Sequence, residues 1–165
     1  ETTARLAMYW DMDTVDVDAK SNNNAVSSTA WTFGCFIISV NQVPTLYLNG
    51  AEVASYTTQT TGSTNPATDA EGNLRIATKD TVAGRFWDGK IAYAQIWASA
   101  LSLTAINEAM WQPGSIVPMK GYWPIQGTSS PENDLSGNGN TGTVTGAANS
   151  ALGPPVMIGM AGLSQ

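Results

Sequence analysis

The sequence has no histidine, one cysteine and only seven lysines and arginines among its 165 residues. Each shortage removes a class of chemistry. Without histidine there is no Ser-His-Asp triad, no Cys-His dyad and no histidine-ligated zinc. A single Cys35 excludes an intrachain disulfide, and its setting, "FGCFIISV", reads as that of a small buried apolar residue. The basic residues read as scattered, with no basic stripe, and a net charge of −6 repels a phosphate backbone, so nucleic acid is not expected as a partner. No apolar run approaches bilayer length and no signal peptide is evident, so no membrane span is expected. The chain opens on Glu1 rather than Met, which reads as processing or excision from something longer.

What is abundant is Gly, Ser, Thr, Asn and Ala, beside 42% hydrophobic and 12% charged residues, a balance that leans towards β-rich extracellular and virion proteins. The length suits one domain with a real core. "ARLAMYW" reads as a strand, and "DMDTVDVDAKSNNN" as the loop after it, although its "TVDVDAK" part could lie on a strand or strand end. Residues Trp31 to Val40 are apolar at odd and even positions alike, which predicts a core strand covered on both faces. In "TLYLNGAEVASY", Asn49-Gly50 between two strand-like runs predicts a two-residue hairpin turn. Residues 57 to 73 read as a polar surface loop, followed by a short strand at "LRIAT". In "FWDGKIAYAQIWASALS" the alternation puts Ile91, Tyr93, Gln95 and Trp97 on one side and Ala92, Ala94 and Ile96 on the other. Ser102 caps a short helix whose Leu103, Ile106 and Met110 recur at helical spacing, and "KGYWPI" predicts a last short strand.

The ordered set "LYLNGAEV", "LRIA", "FWDGKIAYAQIWASALS" and then a helix resembles the second half of a laminin G-like, concanavalin A-like β-sandwich domain. "GYWPI" followed by "DLSGNGNTGTVTGA" is similar to a further motif of that family, so the resemblance spans about residues 31 to 148. That motif often opens the domain; its place here at the end suggests phage and environmental members, and leaves the usual first strands unseen upstream of Ala4. The resemblance implies an all-β antiparallel jelly-roll sandwich of two sheets with one short helix. The expected organisation is a domain over 1–148 and an apolar Gly-, Pro- and Met-rich tail over 149–165. Since "WTFGCFIISV" needs a neighbour along each edge, the "GYWPI" strand, an upstream segment or a neighbouring chain is expected to pair with it.

Fold does not settle function. Glucanases of this fold place glutamates on either side of a central Asp. Aligning Asp16 with that Asp puts Thr14 and Ala19 or Lys20 in the outer positions, so both working carboxylates are missing. Asp11, Asp13, Asp16 and Asp18 then read as a solvated face, and no enzymatic activity is expected. In "DLSGNGNTG", Asp134, Ser136 and Asn138 alternate ahead of Gly139, as in the first half of a calcium loop. The position of the bidentate Glu holds Thr145, so the run reads either as turn chemistry or as a weak Ca2+ site, with no other cofactor expected. Sugar binding is signalled by aromatic rings near polar rim residues: Trp87 with Asp88, and Tyr56. Trp31, Trp97 and Trp123 fall in apolar patterns and read as core. Two functions follow. One is a non-catalytic lectin-like module on a secreted or virion surface that binds a glycan or cell-surface ligand. The other is a structural or decoration protein of a phage-like particle, acting through other protein chains in an oligomer or virion.

Overall fold

The computed structural model describes residues 4–10, 12–39, 43–63, 74–77, 87, 89–125, 130–148, 150 and 153–155. Its contacts divide the chain into two compact units. One comprises Glu1–Thr68, Ser99–Gln112 and Val156–Gln165, and the other Asp69–Ala98 and Pro113–Pro155.

In the first unit, β1 (Ala7–Trp10), β2 (Val17–Ser21) and β6 (Tyr56–Thr60) form an antiparallel sheet in the order β1-β2-β6. Strict alternation buries Val17, Ala19 and Ser21 on one face of β2 and turns Asp18 and Lys20, an ion pair, to the other. A second antiparallel sheet has the order β3-β4-β5, from Gly34–Ile38, Pro44–Leu48 and Ala51–Glu52. Met8, Met12, Val17 and Ala19 from the first sheet and its loop meet Leu46 from the second, with Leu6, Ile38, Val53 and Tyr56 packed around them. That shared core makes the unit a sandwich. Its one fully buried polar residue among those described, Ser21, accepts the Leu6 N–H at 3.0 Å and donates to the Asn22 carbonyl, so its hydroxyl is satisfied.

The hairpin forms as the sequence predicts. Asn49 (φ 50°) and Gly50 (φ 79°) both lie in the left-handed region, and Leu48 pairs with Ala51 across the turn. Helix α1 (Leu103–Trp111) begins at Ser102, whose hydroxyl accepts the Ala105 N–H at 3.2 Å, and it buries Ile106 and Ala109. Leu103, expected on the inner face, is exposed: as the first helical residue it precedes the turn that reaches the core. From α1, Asn107 donates its amide to the Gly50 carbonyl at 3.2 Å and to the Leu103 carbonyl at 2.9 Å, fastening the helix to the hairpin turn.

In the second unit, β7 (Ala94–Ile96) pairs with β8 (Gly121–Trp123), Gln95 opposite Tyr122. Trp123 is buried, its indole N–H donating to the Asn140 carbonyl at 2.7 Å.

Overall the chain is all-β in antiparallel sheets with one short helix, as expected, and among the described residues the ladders form three sheets. Several elements differ from the sequence reading. The acid-rich stretch, readable as a loop or as a strand at "TVDVDAK", contains β2, the central strand of its sheet, because Val17, Ala19 and Ser21 supply a buried face between the charges. The polar segment after Tyr56 starts with β6, whose threonines favour extended backbone although none is apolar; residues 64–73 of that segment lie outside those described. Within "LRIAT", residues 74–77 form no strand: Ala77 has φ 69° and Leu74 is exposed, with Thr78 outside the described residues. The long alternating stretch yields only β7, because Tyr93 at φ 57° breaks the extended chain just before it. "WTFGCFIISV" is not covered on both faces. Phe36 sits opposite Leu46, hence on the same side of the sheet, yet is 53% exposed, and among the described residues β3 pairs only with β4. "GYWPI" pairs with β7 rather than with that strand.

Candidate functional site

The best-defined polar loop runs from Asp134 to Gly142. Its sequence of Asn, Asp, Ser and Gly folds by side chains accepting from their own backbone. Asp134 Oδ1 accepts the N–H groups of Tyr122 at 3.0 Å and Ser136 at 2.9 Å, and Oδ2 accepts that of Asn140 at 2.9 Å. Gly137 (φ 85°) and Gly139 (φ 76°) provide the left-handed steps. Ser136 Oγ accepts the Asn138 N–H, while the Asn138 amide donates to the Met119 carbonyl at 2.8 Å and the Asn140 amide to the Lys120 carbonyl at 2.8 Å. Desolvation pushes the Asp134 carboxyl up, but the donors on Tyr122, Ser136 and Asn140 outweigh it and hold the group well below the ordinary carboxylate range.

The three residues considered for calcium are therefore brought together, with both Asp134 oxygens already facing backbone donors and the Asn138 nitrogen, not its oxygen, turned to the carbonyls. Among the described residues no three or more Asp, Glu, Cys or His side chains gather where they could hold a metal. Millimolar chelator is expected to leave the melting temperature within about 1 °C of its value in buffer, one degree being a few tenths of a kcal/mol for a chain of this length. A drop of several degrees, reversed by added Ca2+, would make Asp134, Ser136 and Asn138 a metal site.

Trp87 is 56% exposed in the second unit. Its backbone N–H donates to the Ala77 carbonyl at 2.8 Å, and a Cβ on Gly89 would lie 2.8 Å from its Nε1, so the ring lies against bare backbone there. Asp88 lies outside the described residues. Tyr56 faces inward instead of onto a rim: it packs on the core of the first unit, and its phenolic oxygen accepts the Leu46 N–H at 2.9 Å.

Asp13 and Asp16 are built into the loop between β1 and β2. Asp16 accepts the Met12 N–H at 3.0 Å and the Tyr9 hydroxyl, and Asp13 accepts the Ser63 hydroxyl, whose oxygen in turn accepts the Thr14 N–H. Asp18 Oδ1 is buried without a hydrogen-bond partner among the described residues, and Asp11 lies outside them. Of the tryptophans expected in the core, Trp123 is buried, and Trp97 and Trp31 are half-buried; Trp97 donates its indole N–H to the Ile116 carbonyl at 2.9 Å. Sequence reasoning missed the exposed Tyr9 and Trp10 on β1, because an apolar run names a strand without saying which of its residues reach past the core.

Two small antiparallel sheets that share one core make the first unit a β-sandwich, and the second unit carries a loop closed by side-chain caps. The family described as the concanavalin A-like lectin/glucanases superfamily matches residues 1–107, and the chain belongs to it. The match includes β1 and β2, upstream of the motifs between residues 31 and 148 that resemble the family, and stops before "GYWPI" and "DLSGNGNTG". No curated protein and no solved structure matches the chain. No helix among the described residues is long and apolar enough to cross a membrane.

Proposed function

We propose that the chain is a non-catalytic, lectin-like recognition domain, displayed on an extracellular or virion surface, that binds a glycan at the Trp87 rim. The observation that carries this reading is an indole left open to solvent beside a glycine, in a family that includes lectins. A flat apolar ring stacks on the C–H face of a sugar, and polar groups beside it fix the sugar's orientation. Hydrolysis is disfavoured because positions 14 and 19 or 20 lack the carboxylates that the glucanase pattern needs. Asp16, the one match, is engaged by Tyr9 and Met12.

A glycan array probed with the wild type and with Trp87→Ala tests the proposal. Wild-type binding that falls about ten-fold or more in the variant is expected, the scale of removing an interface tryptophan. Binding that survives the substitution would remove Trp87 from the site, and no binding to any glycan would sink the reading. Exposed Phe36 on the core-facing side of β3 favours the second function, a structural or decoration protein of a phage-like particle whose partner chains cover that face. Light scattering that finds a defined oligomer, together with a silent array, would select it.

A further inference from the structure

Along β3 the hydrogen bonds to β4 fall on alternate residues. The Asn49 N–H donates to the Phe33 carbonyl at 2.9 Å and the Ser39 N–H to the Val43 carbonyl at 3.5 Å, and the register between them steps evenly, without a bulge. In an antiparallel ladder those two pairs make Cys35 and Ile37 the other residues bonded to β4. Pro44, which has no N–H to give, stands opposite Ile38 in an unbonded pair, as that phase requires. Gly34, Phe36 and Ile38 therefore turn their N–H and C=O groups away from β4, and β3 has no second neighbour among the described residues. On that side the Phe36 carbonyl meets only the Cys35 thiol, at 3.9 Å, among the described residues.

An exposed edge is ordinarily guarded by a charge, a proline or a bulge, and β3 has none of these. No residue from 21 to 51 is charged, in a chain of net charge −6. The other edges of the first unit differ: β1 is flanked in sequence by Arg5 and Asp11, β5 contains Glu52, and β6 is polar beyond Tyr56. Phe36, half exposed, is the middle residue of β3. Two copies of an acidic chain repel where their charged faces meet, and a basic partner would be drawn to those faces instead of to this strip. A second copy that presents the same strip meets no charge there.

We propose that β3 pairs antiparallel with β3 of a second copy about a two-fold axis at Phe36, joining two three-stranded sheets of the order β3-β4-β5 edge to edge. Phe36 of each copy exchanges backbone bonds with Phe36 of the other, and Gly34 of each with Ile38 of the other. Residues directly opposite share a face, so the two Phe36 rings meet on the side that carries Leu46. The pairing goes beyond the glycan reading and does not depend on it; it names a copy of this chain as the partner that the second reading leaves open.

Sedimentation equilibrium of the whole chain, from about 1 to 200 μM, tests the pairing. A monomer–dimer equilibrium is expected, no weaker at ~500 mM than at ~50 mM NaCl because the strip is uncharged. Phe36→Lys and Phe36→Glu each set like charges against one another at the axis, and each should weaken association at least about ten-fold. An equimolar mixture of the two variants should restore a dimer containing one copy of each. Hydrogen exchange of the wild type gives a reading that no substitution can disturb. The amides of Gly34, Phe36 and Ile38 should exchange at least about ten-fold faster at the dilute end than at the concentrated end, while those of Cys35 and Ile37, bonded within the chain, keep their protection. A monomer throughout the range, edge amides indifferent to concentration, or a dimer that withstands both substitutions would overturn the proposal. A mixture of the two variants that stays monomeric would overturn it as well, since the two-fold at Phe36 brings those side chains together. A monomer beside a positive glycan array would overturn the pairing and leave the glycan reading standing.

Discussion

Gly50→Val is expected to lower the melting temperature by roughly 6–12 °C, which corresponds to about 3 kcal/mol in a chain of this length. Two costs add. Gly50 has φ 79°, a left-handed conformation that costs an L-residue about 1–2 kcal/mol and a β-branched one more. A Cβ there would also lie 2.2 Å from Asn107 Oδ1 and 3.3 Å from Met110 Cε. Asn107 cannot swing aside freely, because its amide holds the Gly50 and Leu103 carbonyls. The substitution therefore either strains the turn or releases α1 from the hairpin. Gly50→Ala in an Asn107→Ala background separates the two costs: the clash is gone and the backbone strain stays, so Gly50→Ala should cost less stability in that background than in the wild type. Thermal unfolding of the variants followed by circular dichroism reads the result, and an unaltered transition in Gly50→Val would remove the packed hairpin from this description.

The same turn shows what the sequence could and could not reveal. Asn-Gly between apolar runs demands positive φ at both positions, so the local chemistry alone identifies it, and the Ser102 cap is legible for the same reason. That Asn107 docks on the turn is a contact across 57 positions, and no local rule reaches so far. β2 is hard to read because Asp18 and Lys20 alternate with a buried face of only Val17, Ala19 and Ser21, and β6 because Tyr56 alone among its residues is apolar and packs on the core. β3 misled in the opposite sense. Its apolar residues on both faces suggest full cover, but burial depends on what lies opposite, and Phe36, paired with the buried Leu46, stays half exposed.

The candidate site follows the same division. Trp87 was singled out from its polar neighbours and is exposed. Tyr56 was singled out on the same grounds, yet its strand turns it inward and its hydroxyl accepts from the backbone of β4. An aromatic residue beside polar ones marks a candidate platform only if the strand register points it outward, and that register depends on Ser21 pairing with Tyr56, a contact across the sheet that no local pattern reveals.

Asp134→Ala is expected to destabilise the second unit's loop by about 2–3 kcal/mol. Hydrogen bonds to a charged acceptor contribute about 1.5–3 kcal/mol each, and the partial exposure of this carboxylate keeps the total below their sum. Three backbone N–H groups, on Tyr122, Ser136 and Asn140, lose their acceptor at once, and the Tyr122 donor belongs to β8 itself. Asp134→Asn should fall between, since an amide oxygen in the Oδ1 position can still accept from Tyr122 and Ser136 but sets an NH2 group against the Asn140 donor. The pH dependence has a definite sign. The folded carboxyl titrates below its unfolded value of about 4, so its contribution is fully present above that pH and is lost as pH falls through the lower, folded value. Urea unfolding at pH 7, 5 and 3 should therefore show the gap between wild type and Asp134→Ala unchanged from pH 7 to 5 and narrowed at pH 3. A gap that closes already at pH 5 would mean that the backbone donors do not hold the carboxylate ionised, and no gap at pH 7 would mean that the loop stands without it.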